Sequence, residues 1–229
     1  LSLASLPVGE PVGGGPAVRP ARRVLTGRQV ALRPLQLETD PAELFRISHG
    51  DPGRERLWTY MGYGPFSGET AMGEWLAGCA RSEDPLFLCV IDAANGRRLG
   101  MASFLNVRPE MRVLEVGHIW YAPEAQRTAA NTEATYLMLR DAFDLGYRRA
   151  EWKCDALNER SRRAALRLGF RFEGVFRQHM VVKDRNRDTA WYAVLDGEWP
   201  AVRTNLERWL AAPPAGRFSL TEASRSQAG

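Results

Sequence analysis

The chain has 229 residues, 45% of them hydrophobic, which suits one domain with a full core and tails when domains average about 100 to 200 residues. No run of about 20 apolar residues exists, which excludes a membrane-spanning helix. The net charge of +4 is carried almost wholly by Arg, with Lys only at Lys153 and Lys183; it is interleaved with Asp and Glu, so no basic block marks a nucleic-acid binder.

In chain order, residues 1–23 are broken by Pro7, Pro11, Gly13, Gly14, Gly15, Pro16 and Pro20, and read as a flexible tail without the basic start and apolar centre of a signal peptide. The pattern then predicts a strand over 30–35 and helices over 41–49 and 70–81. Between those helices lies a turn-rich aromatic stretch holding Trp58, Tyr60, Tyr63 and Phe66, open to two readings, a pocket wall or a cap on the core. Residues 87–92 and 98–105 form a hairpin around Asn95-Gly96, a strong turn dipeptide. Residues 114–121 continue the sheet, Pro123 breaks it, and a helix over 131–145 ends at Gly146. The strand 149–155 returns parallel to 114–121. Asn158 caps the next helix and Gly169 stops it; strands 172–182 and 189–195 pair around 183–187, and residues 211–229 read as a second flexible tail. The three cysteines, Cys79, Cys89 and Cys154, are odd in number and widely spaced, which argues for reduced thiols in the cytoplasm and against disulfides or a metal site.

Two segments carry the chemistry. The hinge Gln126, Arg127, Thr128, Ala129, Ala130, Asn131, Thr132 opens a helix, and the partnerless N–H groups and positive dipole end of a helix start can hold a phosphate. The second segment runs from Asn158 through Ser161 and Ala165 to Gly169. Together they resemble the GCN5-related N-acetyltransferase (GNAT) superfamily. There the first segment is the acetyl-CoA pyrophosphate loop, Gln/Arg-x-x-Gly-x-Gly/Ala, and the second begins with an Asn that meets the pantetheine arm. Ser161, the small Ala165 and the run Thr132-Glu133-Ala134 are similar to the RimJ/RimL-like branch, and the likeness spans residues 24–210, taken as the domain. Ala129 and Asn131 depart from the loop pattern. Ala fits there if the backbone has a negative φ; if φ is positive, Asn131 offers compensation because Asn tolerates the left-handed region.

The resemblance implies an α/β (α+β) fold, a mixed and mostly antiparallel sheet of about seven strands with one splayed parallel pair and helices on both faces. It implies acetyl-CoA as cosubstrate, with no metal, and acetyl transfer to a primary amine by direct attack in a ternary complex. The acceptor is a protein N-terminus or a small molecule. Backbone groups of Ile119, Trp120 and Tyr121 are expected at the pantetheine, with an N–H there stabilising the oxyanion. Three residues compete as general base. Glu115 sits at the family's recurrent acidic position; His118 lies on the opposite strand face by alternation; His179 neighbours Met180, which occupies the place of an acidic residue in some branch members. Ser161 is a relay to the departing thiolate. Trp58, Tyr60, Tyr63 and Phe66 are expected to shape the acceptor pocket. A homodimer, a non-catalytic CoA-binding module and an antibiotic-amine acetyltransferase stay open, the last calling for an acid-lined pocket.

Overall fold

In residues 86–92 the apolar side chains alternate between two destinations: Leu86, Leu88 and Val90 enter one hydrophobic cluster, Phe87 and Cys89 another. A strand buried on both faces belongs in the middle of a sheet covered on both sides. The computed structural model, which describes residues 6–225, places it there. Eight strands, β1 (Leu25–Thr26), β2 (Val30–Pro34), β3 (Leu86–Asp92), β4 (Arg98–Arg108), β5 (Val113–Tyr121), β6 (Arg149–Asp155), β7 (Arg171–Val182) and β8 (Arg185–Leu195), form one sheet ordered β1-β2-β3-β4-β5-β6-β8-β7. Every pair is antiparallel except β5 with β6. The expected α/β fold is therefore observed, with eight strands among the described residues rather than about seven.

Helices cover both faces. On one, α1 (Asp40–Ser48) and α3 (Glu69–Arg81) bury Leu44, Ile47, Met72 and Leu76; the four-residue α2 (Pro52–Glu55) follows α1. On the other, α4 (Ala130–Asp144), α5 (Glu159–Arg167), α6 (Trp199–Ala211) and α7 (Leu220–Arg225) bury Leu137, Met138, Ala165, Leu206 and Leu220. Asn158 caps α5 as expected, its side chain accepting from the Ser161 N–H at 3.1 Å.

Parts of both stretches read as tails are docked. The N–H groups of Ala17 and Val18 donate to the carbonyls of Pro109 and Leu145 at 3.1 and 2.9 Å, and Leu220 is 3% exposed. Pro and Gly prevent long regular elements, but they do not prevent backbone hydrogen bonds or burial of a single Leu. Helix α6, which the sequence reading does not reach, also packs here.

Glu133 explains one motif in structural terms. Its carboxylate accepts from three consecutive N–H groups, Arg28, Gln29 and Val30, at 2.8, 2.7 and 2.9 Å. A Cβ on Gly27 would lie 2.7 Å from its Cδ, so this turn needs glycine for close approach. The motif thus pins α4 to the turn between β1 and β2.

Two irregularities position the site. Pairing of β5 with β6 covers only Val113–Arg149, Leu114–Ala150 and Glu115–Glu151; beyond it the strands part, leaving a gap edged by unpaired backbone groups. Within β5, the register against β4 shifts between Met101 and Ser103, and His118 takes φ +50°. One extra residue in a strand reverses the alternation beyond it. Leu114 and Val116 consequently share a face, while Trp120 turns to the other.

Candidate active site

The gap widens into a groove of about 2240 Å³ that runs from the start of α4, past β5, β6 and α5, to the β7–β8 hairpin. A drug-sized pocket is about 300–1,000 Å³, so this groove is larger than a site for one small molecule.

At the α4 end, Arg127 has φ +61° while Ala129 lies at φ −73°, ψ −9°. The left-handed residue is Arg127, Ala129 carries no strain, and Asn131 is already helical, so no compensation by Asn131 is involved. Thr128 Oγ1 accepts from the Ala130 N–H at 3.2 Å and donates to the Ala125 carbonyl at 2.7 Å, and Gln126 Nε2 donates to the Tyr121 carbonyl at 3.0 Å. These bonds brace the turn against the end of β5. Gln126, Arg127, Thr128 and Asn131 line the groove; Ala129, Ala130 and Thr132 are 4%, 6% and 0% exposed, because the first turn of α4 docks on the core. Thr132 still contributes through Arg167, whose Nη1 donates to its Oγ1 at 2.7 Å. Arg167 faces the groove, and burial, partly offset by Tyr121, lowers its pKa.

In the middle, Ile119, Trp120 and Tyr121 line the gap together with Asn158 and Ser161. Trp120 and Tyr121 bury their side chains in opposite clusters, so their backbone edges the opening. Ser161 Oγ accepts from Trp152 Nε1 at 3.0 Å, which orients the hydroxyl beside the thiol of Cys154, itself buried and raised in pKa by that burial.

Glu115 lies where β5 and β6 part. Its Oε2 accepts from Asn106 Nδ2 at 2.7 Å and Lys153 Nζ at 2.8 Å, while Oε1 takes neither bond. Burial raises its pKa, with the Lys153 charge and the two hydrogen bonds opposing. Lys153 also pairs with Glu151 at 2.9 Å and sits 4.0 Å from the Trp191 ring centroid.

His118 corrects the alternation argument. The bulge turns its ring toward Phe87 and Tyr63, at centroid distances of 4.9 and 5.5 Å, on the same side of the sheet as Glu115. Burial, helped by the Arg187 charge, lowers its pKa to about 4. A histidine whose folded pKa is depressed from 6.5 contributes stability above pH 6.5 that is lost as the pH falls toward about 4. A His118→Asn variant, whose side chain tolerates the left-handed backbone, is expected to show a flatter melting temperature between pH 7 and 4.5. An unchanged pH slope by scanning calorimetry would count against this assignment. His179 Nδ1 lies 2.9 Å from Thr189 Oγ1 at the hairpin end of the groove.

Of the four aromatic residues expected at an acceptor pocket, only Tyr60 lines the groove. Trp58 is 0% exposed, donates from Nε1 to the Ser48 carbonyl at 3.2 Å, and packs with Tyr63, Phe66 and Trp120. The core-cap reading therefore holds for Trp58, while Tyr63 and Phe66 are partly buried against that cluster and Tyr63 lines a second cavity of about 360 Å³ with Trp75, Phe87 and His118. The segment still forms a wall through Tyr60, whose hydroxyl reaches the Leu157 carbonyl at 3.3 Å, and through the Trp58 carbonyl, which accepts from Lys183 Nζ at 2.8 Å.

The sequence reading misses Asn106, Lys153, Arg167, Arg187 and Arg217, all of which line the groove. Arg187 was hidden by an unusual turn. The hairpin turns at Lys183-Asp184 alone, both at positive φ, so β8 begins at Arg185. Asn or Gly is the usual mark of that turn. Among the described residues no group of His, Cys, Asp and Glu is arranged to hold a metal, and no helix is long and apolar enough to cross a membrane.

The family model for the acetyltransferase (GNAT) domain matches residues 29–171. The chain belongs to the GNAT acetyltransferase family. A solved GCN5-related N-acetyltransferase from Brucella melitensis is 43% identical, with a TM-score of 0.87, covering 93% of this chain and 98% of that one. The "Putative ribosomal N-acetyltransferase YdaF" of Bacillus subtilis is 31% identical over 106 residues, 46% of this chain and 57% of the relative. The match thus spans little more than half of that relative's length. The microcin C7 self immunity acetyltransferase MccE, solved with acetyl-CoA and AMP, shares the fold at a TM-score of 0.65 and 19% identity, over 74% of this chain and 93% of that one.

Proposed function

We propose that this GNAT protein transfers an acetyl group from acetyl-CoA to a primary amine by direct attack within a ternary complex, a protein N-terminus being the favoured acceptor class. The observation that carries this reading is one continuous groove joining a helix start and Arg167 at one end to the Glu115 carboxylate at the other. Phosphates suit the α4 end, where helix N–H groups and Arg167 offer donors without a carboxylate competing for that guanidinium. The amide-bearing arm suits the edge of β5 at 119–121. As the amine nitrogen bonds the acetyl carbon and the C–S bond breaks, Glu115 Oε1 takes the proton from the amine, directly or by relay, and Ser161 relays to the departing thiolate a proton that solvent restores to its hydroxyl. An α-amine has a pKa of about 8 and is roughly one-tenth neutral at pH 7, so it demands less of this base than a Lys amine near 10.4.

A polycationic antibiotic is disfavoured as acceptor, because the groove's three carboxylates, Asp84, Glu115 and Asp155, are engaged within the chain while Arg56 and Arg187 line the same space. The three buried free thiols suit a reducing compartment, and we place the protein in the cytoplasm. The test is calorimetric titration of acetyl-CoA and CoA into wild type and Arg167→Ala, followed by turnover on a panel of amines. One-to-one binding weakened about tenfold or more by the substitution, a loss near 1.4 kcal/mol, together with acetylation of α-amines, supports the reading. Tight binding without transfer to any amine sinks the catalytic part, and no binding at millimolar ligand sinks it entirely.

A further inference from the structure

The three carboxylates that line the groove are engaged within the chain. Glu115 is held by Lys153 and Asn106, the Asp84 carboxylate accepts from the Val107 N–H at 2.9 Å, and Asp155 accepts from the Leu157 N–H at 2.8 Å. Of the arginines lining the groove, Arg187 and Arg217 each bury an Nε without a hydrogen-bond partner, and Arg217 is held over the Trp209 ring, 4.2 Å from its centroid; Arg187 is the one near the parting of β5 and β6. It lines the groove from β8, opposite Met180 of β7 and two residues from Thr189, yet its Nε is buried without a hydrogen-bond partner. No ion pair to it is formed among the described residues. Its charge is felt by both His118 on β5 and Cys154 on β6, which places it over the parting of the two strands.

A half-buried guanidinium with an unmatched buried N–H is unfavourable until something supplies the acceptor. It also repels a protonated amine entering the same space. An acceptor that brings its own anion resolves both problems, and the planar fork of Arg binds the two oxygens of a carboxylate or phosphate side by side.

We propose that Arg187 anchors an oxyanion carried by the acceptor, so that the substrate is a primary amine with a carboxylate or phosphate close to it, as at an acidic protein N-terminus. This rests on the amine-transfer reading above and narrows its substrate class. Arg187 is then a specificity-determining residue.

The test is calorimetric, on CoA-loaded protein, with three product-like probes: N-acetylaspartate, N-acetyl-O-phosphoserine and the uncharged N-acetylasparagine amide. At least one anionic probe is expected to bind tenfold or more tightly than the amide, and whichever is tighter names the source of the oxyanion. Arg187→Gln is expected to abolish the difference while melting temperature and CoA affinity stay near wild type; Arg187→Lys, which keeps the charge without the fork, retains part of it. Equal binding of charged and uncharged probes overturns the proposal, as does a preference that survives in Arg187→Gln. An intact, Arg187-dependent preference in a protein that acetylates no amine would support the anion site and reject the transfer reading, so the two failures are distinguishable.

Discussion

Glu115→Gln is expected to lower kcat by about 10²–10³-fold, within the range that a positioned general base contributes, while the affinity for acetyl-CoA stays within about twofold. The amide keeps the shape of the side chain and can still meet Asn106 and Lys153, but it cannot accept a proton. Because burial sets the Glu115 pKa above its ordinary value, the wild-type rate falls as the pH drops through that raised value, and this acid limb should vanish in the variant. The stability sign is opposite to the activity sign. A carboxyl whose folded pKa is raised contributes stability at low pH that is lost as the pH rises through the folded value, so the Gln variant is expected to melt no lower than wild type at pH 7. Steady-state kinetics across pH, with melting as the control, checks both. A residual rate within threefold of wild type with the same acid limb would remove Glu115 from the mechanism and leave the neutral ring of His118, or His179, to be tested next.

Asp40→Ala is expected to be the most damaging substitution for stability. Asp40 is 0% exposed and receives two bonds from Arg33, at 2.7 and 2.8 Å, one from Arg98 Nε at 3.0 Å and one from the Gln36 N–H at 2.7 Å. Burial alone would raise its pKa, but Arg33, the Gln36 N–H and Arg98 together overcome that and hold it below the usual value. Removing the carboxylate strands two guanidinium groups whose side chains are only 11% and 19% exposed, a change typically worth about 3–5 kcal/mol. At about 2–4 °C per kcal/mol for a chain of this size, the melting temperature should fall by about 10 °C. With a depressed folded pKa, the contribution of Asp40 is present above pH 3.8 and lost as the pH falls through the folded value, so the gap between variant and wild type narrows in strong acid. Urea unfolding at pH 7 measures the loss, and one below about 1 kcal/mol would mean that the pair only offsets its own desolvation. Replacing Arg33, Asp40 and Arg98 together by apolar residues of similar size should recover much of the stability.

Substitutions at Glu115 and Asp40 also separate what each level of structure contributes. Asp40 precedes a Pro at the start of a predicted helix, yet nothing in its neighbourhood announces that Arg33 and Arg98, from two different strands, converge on it.

What the sequence by itself determined about this protein was local: the hairpin around Asn95-Gly96, the Asn158 cap, the helix start at 131, one residue after the observed start at Ala130, the parallel return at 149–155 and, through short motifs, the family. Those features depend on residues within one or two turns of each other, which is where capping, periodicity and turn chemistry act. Only the tertiary structure decided the rest. The bulge at His118 is a mismatch between two strands and cannot be read from one; it moved a candidate base to the other face. Trp58 became core, with Tyr63 and Phe66 partly buried against it, because α1 and α3 pack there, and Arg217 and Leu220 came to the groove side and the core because α7 docked. Arg187 emerged as a cation with a buried, unpartnered Nε only in the assembled sheet, since whether a charge is paired is a property of the tertiary structure and not of any segment of the chain.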